Sequence, residues 1–542
     1  MRIGVNLIPL RPGVMGGAEV YFRDLLVALI ERSEHEFVLV TAHYNHASLP
    51  NDSARCRRVL FESAGAGRWA RWKARAASGV HRALGRSQTL GYRAESLRDL
   101  IRRERLDLWF CPFTNLEPRV CPVPAVITVH DLQHEYYPDF FHPAELAHRR
   151  TFYPESCRAA DHIIAVSEFT RRCVLEKYDI DPTRASAIWE AAGSDVDWQG
   201  GRAGVPHVRQ KYALPGPFVL YPANTWHHKN HRRLIEALAR YRDLYDEAPT
   251  LVLTGVGKEG QALLDGAIDE HRLRGRVRVL GYVPREDLPA LYAGASCLVF
   301  PSLFEGFGIP LVEAMLAGCP VVAANVTSIP EVLGDAGMLF DPLDPSDICR
   351  ALAAVLRDPE AAADLRQRGR ARADRFSAAQ TAALTLDVFD QVVRVGRIHG
   401  RPSGRELISV EGVWEDHWMG REALLALSGR ALVSVEIEGE LPGIPSLLPQ
   451  ELATRVGSQA ARVTSLSSPG PFSVSVPLLP DDGFSGVWEV AVTPSRTFCP
   501  MDDGLSGDSR HLSVQLQRVR ARTRDGREIV KVLGPAPSGA QC

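Results

Sequence analysis

Phe300-Pro-Ser-Leu-Phe-Glu-Gly-Phe-Gly-Ile-Pro-Leu-Val-Glu-Ala-Met315 is the stretch from which the fold is read. It begins at the end of an apolar run, Cys297-Leu-Val-Phe300, that reads as a buried strand. It turns through Gly306-Phe-Gly308 and continues with helical apolar spacing. A helix start of this kind offers unpaired N–H groups and the positive end of its dipole to an anion. The glycines let the backbone approach a ligand there. Glu305 and Glu313 stand eight residues apart. Glu313 falls about a turn and a half into the helix, where it can accept hydrogen bonds from ribose hydroxyls. Glu305, in the loop, can accept them from a second polyol. Two carboxylates bracketing a phosphate-binding turn fit a sugar nucleotide. Taken alone, the turn fits an ordinary strand–turn–helix with surface glutamates equally well.

Outward from this stretch the same rhythm repeats. Phe218-Val-Leu-Tyr221, Thr250-Leu-Val-Leu-Thr254 and Val277-Arg-Val-Leu280 read as strands before it, and Val321-Val-Ala-Ala324 and Met338-Leu-Phe340 after it, with helices between. An earlier set comprises residues 3–10, Phe37-Val-Leu-Val-Thr41, Leu106-Asp-Leu-Trp-Phe110, Ala125-Val-Ile-Thr-Val129 and His162-Ile-Ile-Ala-Val166. Within it, Val14-Met-Gly-Gly-Ala-Glu19 supplies a glycine turn before a helix over residues 20–30. The two sets are separated by a Gly/Pro-rich break, Gly200-Gly-Arg-Ala-Gly-Val-Pro206. Successive α/β units predict two doubly wound, Rossmann-like domains facing a cleft, over residues 1–200 and 206–376, with a closing helix over 377–397. Beyond an Arg401-Pro-Ser-Gly404 linker the apolar period switches to two, in Val433/Val435/Ile437, Phe472/Val474/Val476, Trp488/Val490/Val492 and Leu512/Val514/Leu516. That predicts an antiparallel β-sandwich over residues 405–534.

The 542 residues suggest about three domains. Hydrophobic residues at 45% and charged residues at 24% exclude a mostly disordered, collagen-like or heptad-dominated chain. No run approaches the ~20 apolar residues of a membrane span. Met1-Arg-Ile-Gly-Val-Asn6 enters a strand without a signal-peptide core. Ten cysteines without a Cys-x-x-Cys pair read as free thiols, so a reducing, cytoplasmic setting is expected. Net charge is −2, yet residues 55–105 hold 14 Lys/Arg against 4 Asp/Glu. Trp69, Trp72 and Leu84 among those arginines form either a face for the inner membrane surface or a helix hairpin packed on the first domain. No nucleic-acid partner is expected.

Several motifs, in order over residues 1–395, resemble family 4 glycosyltransferases of the GT-B fold. They are Met15-Gly-Gly-Ala-Glu19, Val129-His-Asp-Leu132, Ala165-Val-Ser-Glu-Phe-Thr170, His228-Lys-Asn230, Gly281-Tyr-Val283, the Glu305–Glu313 segment and Ser328-Ile-Pro-Glu-Val332. The resemblance implies retaining transfer from a nucleoside-diphosphate sugar, with the donor held by the second domain and the acceptor by the first. It implies that Glu313 takes the ribose, that Glu305 takes the donor sugar's hydroxyls, and that Gly306, Phe307 and Gly308 lie against sugar and phosphate. Gly16 and Gly17 would offer N–H groups to the diphosphate, and Lys229 would neutralise it as it leaves. His130 would sit near the reaction centre, and the backbone at Tyr282 and Val283 would meet the base. No metal or cofactor is implied beyond the donor itself.

One departure concerns the diphosphate. Many relatives carry an arginine where this chain has Ala223, and His228, Arg232 and Arg233 are the candidate substitutes. Ala223-Asn-Thr-Trp-His-His-Lys-Asn-His231 resembles a bacterial subgroup that includes O-antigen mannosyltransferases, which makes GDP-mannose the expected donor. A glycan or a lipid-linked glycan is the expected acceptor. Asp195-Val-Asp197 has the form of a metal-holding motif but falls in the interdomain connection, where a structural role is expected. Asp131 reads as a local structural acceptor, and Ser328 and Glu331 read as local turn-formers. Trp414 and Trp418 in the β-sandwich are read as core, with glycan stacking, oligomerisation or docking of a partner enzyme as the functional alternatives. Two rival readings of the whole chain are a non-catalytic or glycan-binding scaffold and a GT-B sugar-nucleotide epimerase.

Overall fold

The apolar runs of the first 190 or so residues pair into one parallel sheet: β1 (Arg2–Asn6), β2 (Glu36–Thr41), β3 (Cys56–Leu60), β4 (Leu108–Cys111), β5 (Ala125–Val129), β6 (His162–Ala165) and β7 (Ala185–Ala187). Their order is β3-β2-β1-β4-β5-β6-β7. A second parallel sheet holds β8 (Phe218–Pro222), β9 (Thr250–Thr254), β10 (Val277–Val279), β11 (Cys297–Phe300), β12 (Val321–Ala324) and β13 (Gly337–Phe340), in the order β10-β9-β8-β11-β12-β13. The structure is a computed structural model. It describes residues 1–61, 96–193, 196–214, 216–399, 407–413, 418–429, 431–457, 459–479, 487–497, 499 and 512–533. Trp69, Trp72, Leu84, Asp195, Trp414 and the linker at residues 401–404 lie outside the described residues.

Strands β4, β5, β6, β11 and β12 are buried along their whole length, which is why they read as unbroken apolar runs. Each fully buried Leu, Ile or Phe contributes about 1.5–3 kcal/mol. In each sheet the strand order reverses once, between β1 and β4 and between β8 and β11. A crevice for ligands opens beyond the carboxyl ends of the strands at such a reversal. Gly16 follows β1, Lys229 follows β8 and Glu305 follows β11, so both reversals carry candidate residues. Helix Ala378–His399 returns to the first sheet, with Phe389 5.1 Å from Phe110 and His35 3.8 Å from Asp390.

Four local expectations are corrected. The first strand stops at Asn6 and not at residue 10, because Asn45 Nδ2 draws the Leu7 and Leu10 carbonyls into a loop at 2.6 and 2.9 Å. β3 and β7 were not foreseen: one carries two arginines, and the other is only three residues of Ala and Ser. The Gly/Pro-rich break is a helix, Gly201–Lys211. Its glycines serve packing, since a Cβ on Gly201 would stand 2.5 Å from the Pro289 carbonyl oxygen of helix Leu288–Gly294. In the C-terminal region Leu512 and Val514 are buried, but the strand begins only at Gln515.

A second compact unit gathers Leu97–Glu104, Glu117–Pro124 and the chain from Arg394 onward. It contains β14 (Leu407–Val413), β15 (Met419–Ser428), β16 (Leu432–Leu441), β17 (Gln450–Val456), β18 (Arg462–Leu466), β19 (Gly470–Pro477), β20 (Val487–Pro494), β21 (Gln515–Thr523) and β22 (Glu528–Val532). They form antiparallel sheets β14-β15-β20-β17-β18 and β19-β16-β21-β22 around one apolar core. Burial alternates along β19, the signature of a sheet with one packed face. Trp418 packs against this core. Within the same unit Arg98 and Arg102 meet Glu489 at 3.3 and 2.9 Å.

Candidate active site

Loops at the carboxyl edge of the second sheet are tied to one another by uncharged groups. Asn230, left-handed at φ 59°, donates from Nδ2 to the Pro301 and Pro342 carbonyls at 3.0 and 2.8 Å. The Leu303 N–H donates to the His228 carbonyl at 2.8 Å, and the Tyr221 hydroxyl donates to the Lys229 carbonyl at 2.8 Å. These ties set Lys229 Nζ 2.5 Å from Glu305 Oε1, a largely shielded, charge-assisted pair. Ser328 Oγ stands 3.0 Å from the carbonyl oxygens of both Glu305 and Phe307 and fixes the loop between them. Gly308, at φ 103°, opens helix Ile309–Leu316 in a conformation that other residues avoid. Phe307 turns its ring into the core, 5.8 Å from Phe376, and leaves only its backbone for a ligand.

Glu313 is buried and accepts from the Tyr292 hydroxyl at 2.7 Å. Burial raises its pKa above the usual carboxylate value, and the Tyr292 bond and Arg285 offset this only in part. Val283 is buried while Tyr282 is 76% exposed, just past β10 at the edge of the sheet. Of the three candidates to stand in for an arginine at Ala223, burial and the neighbouring Lys229 push His228 well below neutrality, so it is no cation at pH 7. Arg232 is drawn to Glu236 at 3.0 Å, whereas Arg233 reaches Asn230, beside Lys229, at 3.1 Å.

From the first domain, Gly16 caps helix Gly17–Arg32, and a Cβ on Gly17 would stand 3.2 Å from Ile309 Cδ1. The two glycine-opened helix starts therefore face each other. The Gly13 N–H donates to Glu19 at 2.7 Å, and Glu19 pairs with Arg23 at 2.9 Å. His130 closes the approach: a Cβ on Gly306 would stand 1.7 Å from the His130 carbonyl oxygen, so no other residue fits at 306. The Gly306 carbonyl accepts from Ser167 Oγ at 2.6 Å and Thr170 Oγ1 at 3.1 Å. The structure thus brings Gly16, Gly17, His130, Lys229, Glu305, Gly306 and Gly308 to facing loops, with Glu313, Tyr282 and Val283 on the second domain alone. Asp197 accepts from the Gly200 N–H at 2.8 Å, a local turn. Among the described residues no group of His, Cys, Asp and Glu gathers to hold a metal, and no helix is long and apolar enough to cross a membrane.

Residues 15–190 match the Glycosyltransferase Family 4 profile, and residues 207–372 match Glycosyl transferases group 1. The chain is 34% identical over 269 residues to O-antigen chain mannosyltransferase B of Escherichia coli, covering 49% of this chain and 70% of that protein. The chain belongs to the group 1 and family 4 glycosyltransferases. This glycosyltransferase is also 32% identical over 240 residues to the serotype-specific mannosyltransferase WbdA of Escherichia coli, a match that spans 43% of this chain but only 29% of the longer protein. Its GT-B fold is shared with Anabaena Alr3699/HepE, solved in complex with UDP and glucose, at a TM-score of 0.52 and 21% identity, covering 72% of this chain and all of that one.

Two residues of this glycosyltransferase escaped the sequence reading. Glu190, three residues past β7 and buried, lies 3.1 Å from His130 Nδ1, while His130 Nε2 lies 2.8 Å from the Pro112 carbonyl. A carbonyl only accepts, so Nε2 carries hydrogen, and one further proton is shared between Nδ1 and Glu190. Burial pulls the imidazole pKa down, but Glu190's hydrogen bond and charge outweigh it and leave His130 raised; burial also raises Glu190. Glu331, read as a turn-former, instead reaches across the cleft. Its carboxylate accepts from the Glu168 and Phe169 N–H groups at 2.7 and 3.0 Å and from Trp189 Nε1 at 2.6 Å, capping helix Glu168–Tyr178. No local signal marks either role, because each partner lies at least 60 residues away in sequence.

Proposed function

We propose that this chain is a retaining mannosyltransferase that moves mannose from GDP-mannose to a glycan or lipid-linked acceptor of a surface polysaccharide. The observation that carries the reading is the Lys229–Glu305 pair at the strand-order reversal, facing the glycine-opened helix of the other domain. Breaking the bond from sugar to diphosphate builds negative charge on the diphosphate and positive charge at the anomeric carbon. Lys229 and the N–H groups at Gly16 and Gly17 meet the first. Glu305 holds donor-sugar hydroxyls against the reacting centre. Glu313 takes the ribose, and the backbone at Tyr282 and Val283 takes the base. Gly306, Phe307 and Gly308 offer their backbone to sugar and phosphate. His130 has both ring nitrogens committed to protein partners, so it meets the sugar through its carbonyl or ring edge. The acceptor oxygen attacks from the face the diphosphate leaves, and its proton passes to a phosphate oxygen. The two mannosyltransferase relatives support the choice of sugar and of polysaccharide.

The test is a thermal-shift screen of GDP-, UDP-, ADP- and dTDP-sugars with EDTA present, followed by a transfer assay with the best binder. GDP-mannose should stabilise the protein and turn over without added metal. Preference for another donor overturns the sugar. A protein that binds donors but never transfers supports the scaffold reading, which draws on Ala223.

A further inference from the structure

A chain of aromatic rings crosses the cleft beside the Lys229–Glu305 pair. Phe304, just before Glu305, meets Tyr137 at 6.2 Å and 77°. Tyr137 stacks on Phe140 at 5.0 Å and 9°, and Phe140 lies 5.7 Å from His227, two residues before Lys229. The rings belong to both domains: Phe304 and His227 hang from the loops after β11 and β8, and Tyr137 and Phe140 from the segment after β5.

Aromatic rings that only fill the cores, such as Phe110, Phe218, Phe300 and Phe340, are fully buried. Tyr137, Phe140 and His227 are only half-buried, and Asp139 between the first two is exposed. Half-exposed ring faces with an exposed carboxylate in the same helical turn suit a pyranose. Its C–H face lies on a ring while its hydroxyls donate to the carboxylate.

Strand order decides which pyranose. Along the second sheet the loops run from β10, with Tyr282 and Val283, through β9 to β8 and β11, with Lys229 and Glu305. In the transferase reading above, base, diphosphate and donor sugar take that sequence in turn. Among the described residues the aromatic rings adjoin the β8 and β11 loops and reach them from the first domain. We infer that Tyr137 and Phe140, backed by His227 and Phe304, form a stacking platform for the terminal sugar ring of the acceptor glycan. The inference rests on the transferase reading above and deepens it by naming the acceptor subsite.

Two measurements test it. In steady-state transfer from GDP-mannose to a fluorescently tagged, mannose-terminated oligosaccharide, Phe140→Ala and Tyr137→Ala should each raise the acceptor KM about ten-fold. Calorimetric affinity for GDP should stay within two-fold, and Phe140→Tyr should recover most of the lost acceptor affinity. An unchanged acceptor KM overturns the platform, as does a matching loss of GDP affinity, which marks a clasp between domains. Saturation-transfer NMR on the wild-type protein needs no turnover and covers methyl α-mannoside, α-galactoside and N-acetylglucosaminide. Ring-to-sugar transfer that Phe140→Ala abolishes upholds the platform even if GDP-mannose proves the wrong donor. No transfer to any of the three overturns it.

Discussion

The two faces of the cleft are held in different ways. On the second domain the loops around Lys229 and Glu305 are fixed by an asparagine, a tyrosine, a serine and backbone groups, none of which changes charge near neutral pH. On the first domain the loops rest on ionisable pairs, Glu190 with His130 and Glu19 with Arg23. The second-domain face is therefore preorganised by groups that keep their charge near neutral pH, whereas the opposite face carries a buried proton as part of its scaffold. Preorganised dipoles do most for charge that develops in a transition state, which suits the face that would receive the diphosphate.

The sharpest break of this contrast is Gly306→Ala, which places a methyl on the His130 carbonyl and separates faces that are each intact. kcat/KM should fall by at least about 100-fold, the scale set by an ångström of misplacement, while calorimetric affinity for GMP, which has no diphosphate to span the two faces, changes little. Next in size, Lys229→Met removes the cation of the Lys229–Glu305 pair, and kcat should drop roughly 10- to 150-fold, matching about 1.5–3 kcal/mol of charge-assisted bonding. Glu331→Gln keeps the shape but halves the acceptor capacity that crosses the cleft. It should lower kcat/KM about ten-fold, equivalent to about 1.5 kcal/mol, and expand the protein in small-angle scattering. Unchanged scattering and kinetics would remove the carboxylate from closure.

The smallest effect sharpens the contrast through pH. Glu190 and His130 bind protons more tightly folded than unfolded, so the native state holds the extra proton above their ordinary values of 4.5 and 6.5. Their contribution to stability is present at low pH and is lost as pH rises through the raised values. His231, behind Lys229, has the opposite sign: burial lowers it to about 4, so its contribution is lost as pH falls from 6.5 toward 4. The melting-temperature advantage of wild type over Glu190→Gln should therefore shrink between pH 6 and pH 9. An advantage that is flat with pH would mean that the pair shares no proton.

The Glu305–Glu313 segment was legible because strand, glycine turn and helix are contiguous from Cys297 to Leu316 and obey local rules. The same holds for both parallel sheets, whose buried strands announce themselves as apolar runs. Glu190 was not legible. It lies between a tryptophan and an alanine, and it gains meaning only when β7 and β5 join one sheet and bring His130 within 3.1 Å. Glu331 was misjudged for the same reason: its motif describes a turn, while its three partners belong to the other domain. Gly201 and Gly204 misled in a different sense. Glycine signals a break in sequence, but here it is the contact surface of one helix on another.

The chain crosses between the parallel sheets twice, after Trp189 and again near Phe376, and these two rings lie 5.2 Å apart. Arg372 and Arg375 stack on the same indole, and Thr381 donates to its carbonyl at 2.9 Å. Attachments set far apart would define a rigid hinge line, as on a door. Gathered at one point, they make a pivot and not a line. Such a joint leaves alignment to the surfaces that meet, so the fit of Gly306 beneath His130 acts as a keyway: it sets the angle at which the halves come to rest.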